Sequence, residues 1–333
     1  MTESIRLGIQ EQSQTAEARR TARRMAVALG FGEEDAERIA IGVTEACTNL
    51  LKHAGGGEIF LSVTREGSPE FEALALDRGP GIANIADCLR DGYSTGGSPG
   101  YGLGAIRRLS TTSDLYSIPG HGTALLARWS ANKSLVNGSP RLRIGAVNAS
   151  KPGQDVCGDS WGAEHQAEHT MVLLADGLGH GLEARDASAE AVRMLHLNPE
   201  LAPQEVIERC HMALRSLRGA AISVARIDRG RSKITFAGVG NVAAQIYSGS
   251  KLIQHLVSVN GTAGLRVPKL REFSYPWPED GMLVLHSDGL ATGTSSEGRP
   301  GLSMHDPALI AGVLYRDFTR GNDDATVVVA KAA

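Results

Sequence analysis

"IGVTEACTNLLKHAGGG", Ile41 to Gly57, carries an acid, an amide, a lysine and a histidine on a segment that ends in three glycines. At about 100° per residue a helix puts Glu45, Asn49 and Lys52 on one face, with Ile39, Val43, Ala46 and Leu50 pointing well away from it. The polar stripe is separate from the core stripe. On this helix alone such a stripe reads first as a solvated face, and Lys52 and His53 suit an exposed helix end. The segments on either side decide between a surface and a site.

Working outward, residues 15–30 have helical spacing and end at Gly30, and Glu33 to His53 forms a second helix stopped at Gly55-Gly56-Gly57. "EIFLSVTREG" and "FEALALDRG" alternate as strands do, with a Gly-Ser-Pro turn between them. After a glycine-rich loop, "GLGAIRRLST" reads as a short helix and "SDLYSIPGHGTALLARW" as a hairpin turning at Pro119-Gly120. Helices on one face of a mostly antiparallel sheet, an α+β sandwich, fit this order. "SANKSLVNGSPRL" then breaks all periodicity, so a linker is expected at 131–141 between domains 1–130 and 142–333. Beyond it, "RIGAVNAS", "HTMVLLADG", "GAAISVARID", "KITFAGVGNVAAQIYS", "DGMLVLHSDGL" and "DDATVVVAKAA" are strand-like, with helices near 183–197 and 203–217. That pattern predicts a β-sandwich flanked by helices. Without an internal repeat, the two halves are different folds.

Composition narrows the function classes. The 333 residues are 42% apolar and 21% charged, enough for two domains with separate cores. A formal charge of −3 offers no general attraction to nucleic acid or anionic lipid. Cys47, Cys88, Cys157 and Cys210 lie far apart without a CxxC pair, which suggests reduced thiols rather than a zinc knuckle or a disulfide framework. The stretch "MTESIRLGIQEQSQTAEARR" lacks an apolar segment of signal-peptide type, and no run approaches the roughly 18 apolar residues of a membrane span. A cytoplasmic protein, without nucleic acid or membrane as partner, is expected.

"LDRGPGI" places Asp77 at the end of an apolar strand, with Gly79 and Gly81 around Pro80. Such a turn lets backbone approach a flat ligand while the carboxylate accepts a hydrogen bond from an amino group, as an adenine edge would require. "STGGSPGYGLGAIRR" sets Gly100, Gly102 and Gly104 at the start of a helix, where bare N–H groups make a phosphate cradle. Alone, a glycine cluster is better explained by a flexible loop. In order, the three motifs supply a metal ligand, a base pocket and a phosphate loop.

"EACTN", "DRGPG", "GYGLG" and "GHGT" resemble the ordered boxes of the GHKL ATPases over roughly residues 5–130. Within that family the resemblance is to the serine kinases of bacterial partner-switching systems, the anti-sigma-factor and stressosome switch kinases of RsbT-like type. It implies that Asn49 holds Mg²⁺, that Glu45 orients or deprotonates the attacking hydroxyl, and that Asp77, Gly79 and Gly81 form the adenine side of an ATP site. Gly100, Gly102, Leu103 and Gly104 would cradle phosphate, and Thr123 would support the adenine side.

In the second half, acidic residues recur beside glycine at strand ends: Asp159 in "CGDSW", Asp176 in "LLADGLGHG", Asp288 in "LHSDGL", and Asp323 and Asp324 in "GNDDATVVV". One Asp-Gly after a strand is ordinarily a turn. Several, delivered by rigid apolar strands to one sheet edge, favour hard Mg²⁺ or Mn²⁺ over zinc, and two such ions can activate a bridging water against a phosphoester. These motifs resemble the PPM-type serine/threonine phosphatases, in the SpoIIE/RsbX-like branch, over roughly residues 142–331. The resemblance implies a site for two Mn²⁺ or Mg²⁺ built from Asp159, Asp176, the Gly177 carbonyl, Asp288 and Asp323, with Asp324 the lesser candidate. His180 in "GLGHG" suits a solvent-facing loop. No basic phosphate-binding residue like those of larger members is evident.

The two resemblances together imply an ATP-dependent serine kinase joined to a phosphoserine/phosphothreonine phosphatase. By family the substrate would be a STAS-domain antagonist or stressosome scaffold protein, phosphorylated on Ser or Thr. A sigma factor is a further candidate partner and a homodimer a candidate assembly. The alternative is an ATP-bound module that captures a partner without phosphorylating it, fused to a catalytic phosphatase.

Overall fold

The computed structural model describes residues 4–64, 70–88, 102–130, 142–228, 230, 232–267 and 269–332. Gly100, the Gly-Ser-Pro turn and the 131–141 segment lie outside them. The chain divides at residues 138–139 into two compact units.

In the first unit β1 (Ser4–Ile9), α1 (Gln12–Ala28), α2 (Glu33–Ala54), β2 (Gly57–Thr64) and β3 (Glu70–Leu76) precede the short α3 (Ile85–Cys88) and α4 (Gly102–Leu109), and β4 (Thr112–Ser117) and β5 (Thr123–Ser130) close it. The strands form an antiparallel sheet in the order β1-β2-β3-β5-β4. Strand period two sends Ile59, Leu61, Phe71, Ala73, Ala75, Leu125, Ala127 and Trp129 to the helical face, where Ile39, Val43, Ala46 and Leu50 of α2 and Ala18, Ala22 and Ala26 of α1 meet them. Helix α2 comes very close to the sheet at Gly42, where a Cβ would lie 2.5 Å from the Trp129 ring. It ends at Gly55, left-handed with φ 72°, a conformation that glycine adopts without penalty. Strand β1 was not anticipated, although Ile5, Leu7 and Ile9 alternate in it; it is an edge strand paired with β2 alone.

The second unit contains β6 (Arg143–Ala149), β7 (Asp159–His165), β8 (His169–Gly177), α5 (Leu182–Leu197), α6 (Pro203–Ala213), β9 (Ala220–Asp228), β10 (Lys233–Val239), β11 (Ala243–Ser248), β12 (Lys251–His255), β13 (Glu272–Pro276), β14 (Gly281–His286), α7 (Pro307–Phe318) and β15 (Ala325–Lys331). Two antiparallel sheets, β13-β10-β9-β8-β7 and β12-β11-β14-β15-β6, stack face to face. Strand β8 shows why its sequence is a continuous apolar run. Val172 and Leu174 face the other sheet, while Met171, Leu173 and Ala175 face α5 and α6. A strand buried on both faces has no polar alternation to display.

The sequence reading of this unit missed β7, β12 and β13 and needs three further corrections. "KITFAGVGNVAAQIYS" is two strands, β10 and β11, broken at Gly240 with φ 90°. The helix expected over 203–217 stops at Ala213 and tightens into a 3₁₀ turn over Leu214–Ser216. Helix α7 was missed because Leu309, Ile310, Val313 and Leu314 are all buried, leaving no polar stripe to reveal a helical period. Asp306 caps it, accepting from the Ala308 N–H at 2.9 Å, with Pro307 in the first turn. It sits directly on β6 at Gly145, where a Cβ would lie 2.0 Å from the Ala308 nitrogen. Gly145→Ala should therefore push α7 from the sheet and lower unfolding stability by roughly 1–3 kcal/mol, the usual cost of overpacking. Urea unfolding followed by circular dichroism measures it.

Candidate active sites

In the first unit, Glu45 and Asn49 are half-buried one turn apart on α2, and Lys52 and His53 are exposed. Asn49 borders the start of α4: an added Cβ at Gly102 would sit 3.5 Å from Asn49 Oδ1. Its Nδ2 is sealed from solvent and has no hydrogen-bond partner among the described residues. A buried amide in that state is costly unless something outside the core completes it. Leu103 packs against the core, and Gly104 is buried in α4.

Asp77 follows β3, and its Oδ1 accepts from the Gly79 N–H at 2.8 Å and the Thr123 N–H at 3.1 Å. Two main-chain donors on one oxygen fix the orientation of the Asp77 carboxyl group. Thr123 Oγ1 lies 3.0 Å from Ser117 Oγ, which accepts from the Ile82 N–H at 2.8 Å and reaches the Gly122 carbonyl at 3.0 Å. Ser117 was not singled out from sequence, since a serine at the end of a hairpin strand has no local signature. The glycines have an internal reason as well as a ligand one. A Cβ on Gly79 would lie 2.6 Å from that of Ala54, and one on Gly81 would lie 2.2 Å from the Ile118 carbonyl oxygen. Gly81 also has φ 70°. The space these glycines leave is filled by the protein's own chain, which locks the Asp77 turn onto α2 and the β4–β5 hairpin.

In the second unit, antiparallel register sets Asp159 at the start of β7 directly opposite Asp176 at the end of β8. From the other sheet, Asp288 follows β14 and Asp323 precedes β15. Ser287 and Thr326 pair through Ser287 N–H to Thr326 O at 3.0 Å and Thr326 N–H to Ser287 Oγ at 2.9 Å, which keeps the two strand ends together. Asp176, Asp288, Asp323 and Asp324 share a cavity of about 200 Å³ with Lys151, His180 and Asn241. That volume has room for several waters. It suits ions and a phosphoryl group, and is smaller than the roughly 300–1,000 Å³ of drug-sized ligand clefts. A larger cavity, about 450 Å³ along α5, contains none of these aspartates.

Asp159 is 1% exposed, and its Oδ2 has no hydrogen-bond partner. Burial pushes its carboxyl up to about 7, against the pull of the Ser287 and Thr326 hydroxyls. Burial first, then the charges of Asp159, Asp288, Asp323 and Asp324, pushes Asp176 up to about 9. Asp288 is also raised, by burial and by Asp323, against Arg320 and a hydrogen bond from Asn241. Such a set is destabilised by its own charge and is relieved by a cation. All-oxygen donors with a sealed, unpartnered carboxylate oxygen fit hard divalent ions. Among the described residues no three acidic, His or Cys side chains close into a ready-made cage around one ion; the aspartates surround a shared space instead.

Asp324 differs from its neighbour. It is 4% exposed, and its two oxygens accept from the Lys151 N–H at 2.8 Å and the Gly158 N–H at 3.0 Å. Its carboxylate clamps the 151–158 loop, while Asp323 is exposed to the cavity. Gly177 is where α5 closes on β8, since a Cβ there would lie 2.1 Å from the Ala184 carbonyl oxygen. Sequence reasoning missed Asn241 and Lys151, neither of which adjoins an Asp-Gly. The buried thiols Cys47 and Cys210 are pushed up to about 12 by burial, so they are poor nucleophiles.

Residues 10–129 match the family model of the histidine kinase-like ATPase domain, and residues 166–333 match Stage II sporulation protein E (SpoIIE). The serine/threonine-protein kinase RsbT of Bacillus subtilis is 38% identical over 114 residues, 34% of this chain and 86% of RsbT. The phosphoserine phosphatase RsbX of the same organism is 26% identical over 182 residues, 54% of this chain and 90% of RsbX. A solved structure of RsbX in complex with magnesium covers 60% of this chain and 99% of its own at 22% identity and a TM-score of 0.52, a likeness of fold. The two folds thus define the class, a GHKL-type ATPase unit followed by a PPM-type phosphatase unit. The chain belongs to the SpoIIE phosphatase family through its second unit and to the RsbT-like kinases through its first. Among the described residues no helix is long and apolar enough to cross a membrane.

Because Asp159 and Asp176 hold protons in the folded protein at pH values where the unfolded chain has released them, folding stability without metal falls as pH rises from about 4 to about 9. Divalent ions compete with those protons and bind more tightly as pH rises. In chelator, the wild-type melting temperature should decline across this range more steeply than that of Asp176→Asn. Mn²⁺ should raise it more near pH 8.5 than near pH 6, as thermal melts will show; parallel profiles for the two proteins would contradict the assignment.

Proposed function

We propose that the chain is a bifunctional enzyme that phosphorylates a serine or threonine of a STAS-domain partner through its first unit and removes the phosphate through its second, in a partner-switching pathway. The observation that carries the phosphatase reading is the delivery of mutually repelling aspartates, Asp176 from one sheet and Asp288 and Asp323 from the other, to one small cavity. Similarity to RsbT, a serine/threonine-protein kinase, and RsbX, a phosphoserine phosphatase, supports the pairing of opposed activities.

In the first unit, Asn49 would hold the nucleotide's magnesium through its amide oxygen, and Asp77 would accept from the adenine amino group. Glu45, one turn from Asn49, would take the proton of the partner's hydroxyl as it meets the γ-phosphate, the role a carboxylate base has in phosphoryl transfer. Gly102 and Gly104 would offer N–H groups to phosphate. In the second unit, Asp159, Asp176, Asp288, Asp323 and the Gly177 carbonyl would hold two divalent ions. When bound, such a pair supplies an activated water to the phosphoester. Asn241 orients Asp288 through its hydrogen bond, and Asp324 holds the 151–158 loop against the cavity.

Mixing the full chain with labelled ATP, Mg²⁺, Mn²⁺ and a STAS-domain protein tests both halves. Wild type should label the partner transiently, and Asp176→Asn should make the label persist. Glu45→Gln should slow labelling by roughly 100-fold or more, the usual contribution of a general base. Labelling at the normal rate by Glu45→Gln would remove Glu45 from that role. Partner binding that needs ATP but never yields label, even with Asp176→Asn, would establish the capture-module alternative. Asp77→Asn, which keeps an oxygen for the Gly79 and Thr123 N–H groups, should weaken ATP binding by about 10-fold or more through loss of a charge-assisted hydrogen bond. Fluorescent-nucleotide titration measures this, and an unchanged affinity would exclude Asp77 from base recognition.

A further inference from the structure

Resting on the phosphatase reading, we propose that Lys151 is the side chain that anchors the substrate phosphate at the carboxylate cavity. Lys151 is the only lysine or arginine among the cavity's described lining residues. It shares that space with Asp176, Asp288, Asp323 and Asp324, yet its ammonium forms no ion pair or hydrogen bond among the described residues. Its backbone, by contrast, is firmly held. The Lys151 N–H donates to Asp324 Oδ1 at 2.8 Å, and its carbonyl accepts from the Gln154 N–H at 3.0 Å. Because Asp324 Oδ2 also takes the Gly158 N–H at 3.0 Å, one buried carboxylate pins the loop at both ends. The arrangement fixes where the lysine stem leaves the chain and leaves its charge uncommitted.

Charge balance indicates what that ammonium meets. Two divalent ions would neutralise the four aspartates proposed to hold them, and Asp324 is occupied by backbone donors. A phosphomonoester would then bring up to two negative charges into a cavity whose described lining offers no lysine or arginine except Lys151. Other nearby cations are less suited. Arg218 is paired with Glu183, and Arg320 is exposed, with its charge acting on Asp288. A point-charge ammonium on a flexible stem can follow the phosphoryl oxygens as they move from ester to free phosphate.

The test uses the full chain with Mn²⁺, p-nitrophenyl phosphate and a phosphoserine peptide. Lys151→Ala should raise KM for both substrates by roughly 10- to 100-fold, the scale of one charge-assisted hydrogen bond, with kcat changed less than about threefold. The inhibition constant of inorganic phosphate should rise by the same factor, and Lys151→Arg should restore most of the loss. Calorimetry should show Mn²⁺ binding to Lys151→Ala as tight as to wild type or tighter, since a positive charge has left the cavity. An unchanged phosphate constant, or a loss of kcat together with weakened Mn²⁺ binding, would overturn the proposal and assign Lys151 to loop structure. Should wild type hydrolyse neither substrate, the phosphatase reading fails separately. Calorimetric binding of inorganic phosphate to the Mn²⁺-loaded proteins then still decides the role of Lys151, which requires at least a tenfold difference between wild type and Lys151→Ala.

Discussion

Asp159 and Asp176 face each other across a strand pair at the end of a two-sheet sandwich, and around them Asp288 and Asp323 arrive from the second sheet. Like charges placed so close, with Asp159 fully buried, oppose folding unless protons or cations intervene. The sandwich can carry this load because its layers are apolar: β8 alone buries five consecutive side chains between helices and sheet. Core packing in effect supports a charged edge that would not assemble by itself. The same edge explains the small polar accessories, with Asn241 holding Asp288 and Ser287 and Thr326 tying β14 to β15 beneath the carboxylates.

The first unit solves a different problem. A nucleotide needs shaped backbone more than concentrated charge, so the chain uses tight turns fixed by contacts within the fold. Asp77 is oriented by two main-chain N–H groups, and Gly79, Gly81 and Gly122 pack so closely on other backbone that side chains are excluded. A Cβ at Gly122 would lie 2.1 Å from the Asp77 carbonyl oxygen, so the strand-end carboxylate and the hairpin constrain each other. The glycines that mark the motif in sequence therefore preserve the pocket's scaffold directly, and any service to a ligand depends on it.

Much of this was legible in the residues. The split stripe of α2, the glycine stop at Gly55, the paired β2 and β3 and the recurrence of aspartate at strand ends all follow from local periodicity and turn chemistry. Strand β7 and helix α7 were not readable, for opposite reasons: Asp159–His165 is too polar to resemble a core strand, and Pro307–Phe318 too apolar to show a helical face. Both are defined by what packs against them. Lys151 and Asn241 were hidden because each acts through a loop that only long-range contacts place at the cavity.

What the residues determined by themselves were the element types, the two-part organisation and the list of carboxylates, because these depend on spacing along the chain. Tertiary structure decided the roles within that list. Asp323 and Asp324 are adjacent and chemically identical, yet one opens to the cavity while the other spends both oxygens on the Lys151 and Gly158 N–H groups. Both precede β15, so no strand period separates them, and only the partner segments arriving from more than 160 residues away establish which carboxylate is taken up by backbone donors and which is left to the site.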